Sequence, residues 1–422
     1  MIEPTPVMPR TPLVRAIGRW SLAALTLNCI VGAGLLGLPG KVFALAGAAT
    51  GWVVATAAVL ALAAALCLAE LGSRMDGSGG PAQYCRAAFG PIAGFAIGWL
   101  AWAATVLAAA SLLNLFAALV ASVHRAPIIL ATGAALTLVA ASGAGRSATA
   151  SNVLAVLKLS LFAGIALVGL IAPAEPAVLP DGPAHPAPAL VLLFFAFVGF
   201  ERPSAVAGEV ADARGAVPFA LLIGIIAASL LNGGVIAACL RGVPRLAASN
   251  QPVGDLAARI FGAEISAAFQ AAAAVIVLGT LTSQWITAPR VLLALAEDRQ
   301  LPPAFARLAR GRGTPDVAIV TTGVLAVALA LGGDFVTSIA ASSASRLLIF
   351  IACAAALVRL RRVPNRSAAR FRLPAGEVIA ICVIIGCTGL LIAASAELAR
   401  LAILLVIGGL LWLISNWNKV VR

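Results

Sequence analysis

Long apolar stretches, separated by short polar or basic segments, make up most of the chain. A helix needs about 20 apolar residues to cross the roughly 30 Å hydrocarbon core of a bilayer. Twelve stretches approach or exceed this length, and we number the predicted transmembrane helices as spans 1 to 12. They cover residues 18–40, 46–71, 90–120, 126–143, 151–172, 189–210, 217–240, 264–296, 315–333, 336–358, 375–395 and 398–417. An even number of spans places both termini on one side of the membrane.

The composition agrees with this pattern. Of the 422 residues, 62% are hydrophobic and 11% are charged, whereas soluble domains have about half and about a quarter. The chain is therefore predicted to be an all-α polytopic membrane protein, with cytoplasmic tails at residues 1–17 and 418–422. The seven cysteines lie mostly in apolar runs without a Cys-x-x-Cys pair, which indicates core packing rather than a disulfide framework or a metal site.

The net charge of +13 is distributed in a way that indicates membrane topology rather than nucleic-acid binding. Most lysines and arginines fall in the two tails and in alternate loops, which the positive-inside rule assigns to the cytoplasm. The exceptions lie in the opposite loops or inside spans: Lys41, Arg125, Arg241, Arg245, Arg259, Arg400, Lys158 and Arg346. We therefore expect the cell inner (plasma) membrane, cytoplasmic termini, contact of some arginines with anionic lipid, and no nucleic-acid partner.

Span 1 contains four glycines, Gly32, Gly34, Gly37 and Gly40, where a spanning helix should be most regular. Each glycine weakens a helix by about 1 kcal/mol relative to alanine. Two interpretations fit: a close-packed face of small residues, or a broken helix whose second half directs N–H groups at an anion. Irregular backbone at membrane depth must be buried in protein or line a cavity.

Internal symmetry favours the broken helix. Two amphipathic connectors, 81–90 and 252–262, both begin with proline, end in Phe-Gly and lie on opposite sides of the predicted membrane. This similarity predicts two inverted five-helix repeats, 18–172 and 189–358, followed by helices 11 and 12 in 375–417. It also requires span 6, the counterpart of span 1, to be broken.

Span 6 has the residues of a break. Gly199, Glu201 and Pro203 fall within five positions in the middle of an apolar run. Proline removes a backbone donor and disfavours helix in the residue before it. Paired interruptions of this kind point to a transport site.

Motifs along nearly the whole chain carry a resemblance to a known family. They occupy residues 32–40, 69–73, 79–81, 89–91, 197–201, 208–210, 216–218, 290, 296–305 and 314–315. In order and spacing they resemble the amino acid–polyamine–organocation superfamily of permeases. One departure is Ala33, which stands where many members have a serine; this puts one side-chain contact to the substrate in doubt, but not the backbone site.

The resemblance implies twelve helices in a 5+5 inverted repeat, discontinuous helices 1 and 6, and a substrate bound between those two breaks. The implied binding residues are Ile30, Gly32, Ala33, Gly34, Leu35, Phe195, Ala196, Val198 and Gly199. The N–H groups of residues 33–35 meet a carboxylate, and the carbonyls of residues 30, 195, 196 and 198 meet an ammonium. Phe195 is the expected lid of the pocket, although packing alone also explains it.

Lys158, Glu201 and Arg346 are charged residues inside predicted spans that need partners, because an unpaired buried charge is costly. The resemblance implies that Lys158 in span 5 replaces a sodium ion between spans 1 and 8; a snorkelling lysine is the alternative. Glu201 is either a strut between half-helices or a proton carrier, and we assign Lys158 and Glu201 to coupling or gating. Arg346 is expected to pair with a carboxylate or to donate to backbone carbonyls, with direct substrate contact as the alternative.

The expected function is sodium-independent secondary transport of an amino acid by alternating access, coupled to protons or to exchange. Unless Glu201 serves, the pocket shows no convincing acid or base to pair with a charged substrate side chain, so a neutral, small or apolar amino acid is expected. A polyamine or organic-cation permease is the alternative within the same fold. The partners are this small molecule, protons and membrane lipids, and no cofactor or metal is expected.

Two other classes remain as weaker hypotheses. A membrane-embedded enzyme lacks support because both histidines, His124 and His185, fall in outer loops without a nucleophile–base set. A channel lacks a visible ring of charges or a carbonyl filter.

Overall fold

The computed structural model describes residues 17–32, 34–75, 79–120, 124–309, 311–332, 335–363, 368–394 and 398–420. Within these ranges the chain is helical, and its β-structure is one bridge between Ile17 and Val210. The α-helices are α1 (Arg19–Ile30), α2 (Gly34–Ala46), α3 (Thr50–Ser73), α4 (Pro81–Phe89), α5 (Pro91–Val120), α6 (Arg125–Ala141), α7 (Ala144–Ile171), α8 (Pro186–Phe194), α9 (Ala213–Gly242), α10 (Pro252–Phe261), α11 (Ser266–Glu297), α12 (Asp316–Gly332), α13 (Phe335–Arg362), α14 (Gly376–Ala393) and α15 (Leu398–Val420). Short 3-10 helices cover Gly47–Ala49, Phe195–Phe197, Arg202–Glu209, Leu246–Ala248, Ala263–Ile265 and Pro303–Ala306.

By length and composition, eight stretches of the described chain can cross a membrane. They are Gly34–Ser73, Pro91–Val120, Asn152–Ile171, Pro186–Glu209, Ala213–Gly242, Ala263–Glu297, Ser342–Arg362 and Gly376–Ala393. Shorter apolar helical segments are Arg125–Ala141, Asp316–Gly332 and Ala402–Leu413. Large exposed apolar side chains such as Trp52, Leu138 and Ile385 fit a lipid-facing surface. The all-helical fold is therefore confirmed for the described residues, and its long apolar helices are those of a membrane protein, whereas the total of twelve spans and the inverted repeats stay predictions.

Two clusters of buried apolar side chains hold the helices together. One is built mainly from α1, α3, α9, α13 and α14, with Leu68 and Ile225 among its members. The other is built from α5, α6, α11 and α12 and includes Leu113 and Leu281. The candidate site lies between these clusters, where α1 and the segment after α8 lose their regular backbone.

The chain departs from α-helix at both positions where the sequence predicts a break. Helix α1 ends at Ile30, Val31 is extended with ψ 99°, and its N–H donates to the Leu27 carbonyl at 2.8 Å. Helix α2 begins at Gly34. In the second interrupted segment, which follows α8, residues 198–201 separate the 3-10 helices Phe195–Phe197 and Arg202–Glu209, and Gly199 has φ +116°. Glycine reaches that conformation without the steric cost of a Cβ.

The two predicted connectors are helices of similar construction. Helices α4 and α10 each begin at a proline and end at a phenylalanine. The glycines that follow, Gly90 and Gly262, have φ +96° and +92°, a backbone conformation that ends helices and favours glycine. The long helices α5 and α11 begin shortly after these turns.

A buried ion pair connects the end of the second broken segment to α11, and we expect its removal to destabilise the fold. Arg290 Nε lies 2.8 Å from Glu209 Oε1, and the side chains are 1% and 3% exposed. Glu209→Gln leaves the arginine charge buried, which should lower the free energy of unfolding by about 3–5 kcal/mol. Thermal unfolding of the purified protein in detergent measures the loss.

The matched control is the exposed ion pair between Arg370 and Asp212, whose side chains are 61% and 59% exposed. Asp212→Asn should change stability by about 1 kcal/mol or less, because water screens exposed pairs. Asparagine also preserves a capping side chain for α9, since Asp212 accepts from the Gly215 N–H. Equal losses in the two variants would contradict the importance of burial.

Candidate functional site

The two breaks lie against each other. A Cβ placed on Gly199 would stand 2.5 Å from the Cys29 carbonyl oxygen in the last turn of α1. Only glycine therefore permits this approach between the two interrupted segments. The contact leaves the end of α1 and the start of α2 facing residues 195–198.

A small cavity lies at this junction. Most of the predicted binding residues line it: Ile30, Gly32, Gly34, Leu35, Phe195, Ala196 and Val198. Gly199 lies behind the wall against Cys29, and Ala33 is outside the described residues. The cavity volume is about 30 Å³, which holds water but not an amino acid. Its walls must move before an amino acid binds.

Two of the predicted backbone contacts are already used within the protein. The Leu35 N–H donates to the Gly32 carbonyl at 3.2 Å. The Ala196 carbonyl accepts from Asn232 Nδ2 at 3.0 Å. These bonds stabilise the irregular backbone, because buried polar groups need partners. They also reduce the backbone groups that this conformation offers to a ligand.

The phenylalanines of the second segment divide into two roles. Phe194 and Phe200 pack on Phe350, at ring-centroid distances of 6.2 and 4.9 Å, and Phe197 is fully buried. Phe195 alone among the four lines the described cavity. A Cβ on Gly34 would lie 3.5 Å from the Phe195 ring, so this ring covers the start of α2.

Lys158 connects three helices beside the break in α1. Its Nζ donates to the Asn28 carbonyl at 2.9 Å and to Thr280 Oγ1 of α11 at 3.2 Å, and the residue is fully buried. Because α1 stops at Ile30, carbonyls in its last turn lose their helical donors. The ammonium supplies a donor there and interacts favourably with the negative end of the helix dipole. Lys158 does not snorkel.

Glu201 holds the second break in place. Its Oε2 accepts from the Gly199 N–H at 2.9 Å, and its Oε1 accepts from Arg346 Nε of α13 at 3.1 Å. Ser204 Oγ also donates to the Glu201 carbonyl. The carboxylate therefore joins the break to a distant helix, which is the geometry of a strut.

Two arginines share this region. Arg346 and Arg202 both line the cavity, and they are 1% and 7% exposed. Arg202 Nε lies 3.9 Å from Glu201 Oε1, which is too far for a hydrogen bond. The site therefore contains two guanidinium groups and one carboxylate.

Comparison with known proteins identifies the family to which the chain belongs. A family model described as "Amino acid permease" matches residues 17–414. The chain belongs to the amino acid permease family. The resemblance noted from the sequence motifs is thus confirmed, and the protein is a membrane transporter rather than an enzyme. Family membership implies a small-molecule amino acid substrate.

Several curated relatives of this amino acid permease are known. Uncharacterized transporters of Mycobacterium tuberculosis and Mycobacterium bovis are 30% identical over 355 residues, which cover 82% of this chain and 80% of each relative. The vacuolar cationic amino acid transporter 4 of Arabidopsis thaliana is 25% identical over 181 residues, covering 41% of this chain and 29% of that protein.

Some residues of the permease site were not found from the sequence. Thr280 and Asn28 were missed because a single hydroxyl or amide in an apolar helix is common. Arg202 carried a stronger signal, since a charge directly beside a predicted break inside an apolar run needs a reason. Gln284 also lines the cavity; its position one helical turn after Thr280 was the available signal.

Proposed function

We propose that this permease is a sodium-independent secondary transporter that moves an amino acid across the cell inner membrane by alternating access. The observation that carries the proposal is the pair of adjoining broken segments with the Lys158 ammonium on the carbonyl end of α1. Interrupted helices with ion-satisfied ends are the construction expected of a transport site at the membrane midplane. Both termini are cytoplasmic in this proposal.

The proposed architecture is twelve spans, with two inverted five-helix repeats and two further helices. The similar connectors α4 and α10, each closed by a glycine with positive φ, support that symmetry. So does the placement of one break in each proposed repeat, near Gly32 and near Gly199. In this proposal, the two interrupted segments rock against α5 and α11 and so open the cavity to one side of the membrane or the other.

The substrate lies between the breaks in this proposal. Its carboxylate faces the start of α2, where helix N–H groups favour an anion. Its ammonium faces carbonyls at the end of α1 and around Val198. Each charge then has a partner, as a zwitterion removed from water requires.

The contacts of Lys158 support the proposed sodium independence. Carbonyls at the end of a half-helix and a threonine hydroxyl are oxygen ligands of the kind that hold sodium in related architectures. Here the ammonium occupies both the Asn28 carbonyl and Thr280 Oγ1. Coupling to protons and coupling to exchange are the two alternatives that remain for the driving force.

The expectation of a neutral amino acid rested on the apparent lack of an acid or base, other than Glu201, to pair with a charged substrate side chain. Arg202 and Arg346 line the cavity, which weakens that argument. The same arginines disfavour the alternative of a polyamine or organic cation, and they weigh against transferring cationic substrates from the Arabidopsis relative's name.

Counterflow of labelled amino acids in proteoliposomes tests the proposal. Liposomes preloaded with an unlabelled amino acid should accumulate the labelled form in potassium buffer, with saturation and with no stimulation by sodium. A pH gradient imposed in separate liposomes distinguishes proton coupling from exchange. Linear, non-saturating flux would indicate a channel instead, and an absolute requirement for sodium would contradict the role given to Lys158.

A further inference from the structure

We propose that the site selects amino acids with an acidic side chain, and that Arg202 and Arg346 bind the second carboxylate. The inference rests on the proposed transport function and names its substrate class. It depends on three features of the described cavity: donors without partners, an excess of positive charge, and a carboxylate that is already engaged.

The first feature is the set of unused donors. Arg346 donates through Nε to Glu201, but its Nη1 and Nη2 atoms are buried without a hydrogen-bond partner. Arg202 Nε is also buried without one. Leaving such groups unpaired costs about 1–3 kcal/mol each, and more for charged groups. Both side chains line the cavity, so a bound ligand can reach them.

The second feature is the charge balance. Arg202, Arg346 and the nearby Lys158 carry three positive charges, and Glu201 carries the negative charge that pairs with Arg346. A neutral amino acid is a zwitterion and leaves this excess unchanged. An acidic amino acid lowers it by one unit at a place where an uncompensated charge is costly.

The third feature is that Glu201 carries one negative charge against two guanidinium groups and is held in place by its contacts. Its Oε2 accepts the Gly199 N–H at 2.9 Å, and its Oε1 is 3.1 Å from Arg346 Nε. Moving it toward Arg202 would break the bond that holds the turn at Gly199. A carboxylate from the substrate is free of this constraint.

The chemistry of the donors favours a carboxylate. The free Nη1 and Nη2 atoms of a guanidinium form a planar fork that binds two carboxylate oxygens at once. In the proposed pose, the N–H groups at the start of α2 bind the α-carboxylate. Arg346 lies on α13 and Arg202 directly follows the second break, so the two guanidinium groups bind a different part of the same ligand.

The first test compares pairs of isosteric ligands on the unaltered protein. Glutamate against glutamine, and aspartate against asparagine, differ in the charge of the side chain at nearly equal size. We expect the acidic member of at least one pair to compete in counterflow, and to raise the melting temperature, at concentrations at least ~10-fold lower than its amide requires. The loss of one charged hydrogen bond predicts a difference of this size.

The second test uses Arg202→Gln, with Arg245→Gln as the control. Arg245 lies in a loop and is exposed. Arg202→Gln should weaken the preference for the acidic amino acid over its amide by roughly 10-fold or more, whereas the control should keep it. Arg346→Lys, which retains the charge but loses the fork, should also reduce the preference.

The outcomes separate the two proposals. Uptake of glutamine, leucine or arginine without preference for an acidic amino acid would overturn this inference and leave the transport function standing. A preference that Arg202→Gln does not alter would also overturn it, because the arginine would not be the selecting group. Saturable transport of no amino acid at all would instead refute the proposed function.

Discussion

Gly199→Ala is expected to abolish transport while the protein still inserts and is purified as a helical species. Gly199 has φ +116°, and a Cβ there would lie 2.5 Å from the Cys29 oxygen and 3.0 Å from its carbonyl carbon. Both atoms belong to backbone, which yields less readily than a side chain. We expect a strain of about 3 kcal/mol or more, and a fall in counterflow of roughly 100-fold.

The matched control is Gly389→Ala in α14. An added Cβ at Gly389 meets nothing within 4 Å, and alanine is a better helix former than glycine. This variant should transport like the unaltered protein. Size-exclusion chromatography of both variants in detergent establishes that they are folded. Normal counterflow by Gly199→Ala would show that transport does not require the two breaks to touch.

Lys158→Met is expected to reduce sodium-free transport by roughly 10-fold or more, because it leaves a buried carbonyl without a donor. Methionine keeps approximately the length and apolar stem of lysine but removes the bonds to Asn28 and Thr280. The end of α1 then loses its connection to α7 and α11. Initial rates of counterflow in potassium buffer measure the effect.

Lys41→Met provides the control, since Lys41 in α2 is exposed and should tolerate the loss of its charge. Adding sodium to both variants gives a second observation. Recovery of transport by Lys158→Met in sodium would show directly that an ion can replace the ammonium. Full activity of this variant in potassium buffer would defeat the proposal that Lys158 substitutes for an ion.

Hydrogen bonds from side chains hold the backbone at both breaks in a defined conformation. Glu201 bonds the Gly199 N–H and Arg346, and Asn232 bonds the Ala196 carbonyl. Each irregular backbone group at membrane depth needs such a partner. A cavity of about 30 Å³ between fixed breaks implies that binding opens the site by movement of whole segments against α5 and α11.

The sequence alone predicted the features that depend on local pattern. Runs of apolar residues identified the helices, since burial in lipid requires length and hydrophobicity that a short window shows. Glycines in span 1 and the Gly199, Glu201 and Pro203 group located both interruptions, because backbone conformation depends on the residues at that position. The Pro-to-Phe-Gly pattern located the connectors α4 and α10.

Only the tertiary structure decided which side chains meet. Lys158 reaches Thr280 across 122 positions in the chain, and Arg346 reaches Glu201 across 145. No local pattern encodes these contacts, because they depend on how separate helices rotate and pack. The sequence thus predicted the backbone binding site at the break after α1, whereas only packing brought Arg202 and Arg346 to the same cavity. Local propensity thus determined where the helices break, and packing determined the charge that the broken ends surround.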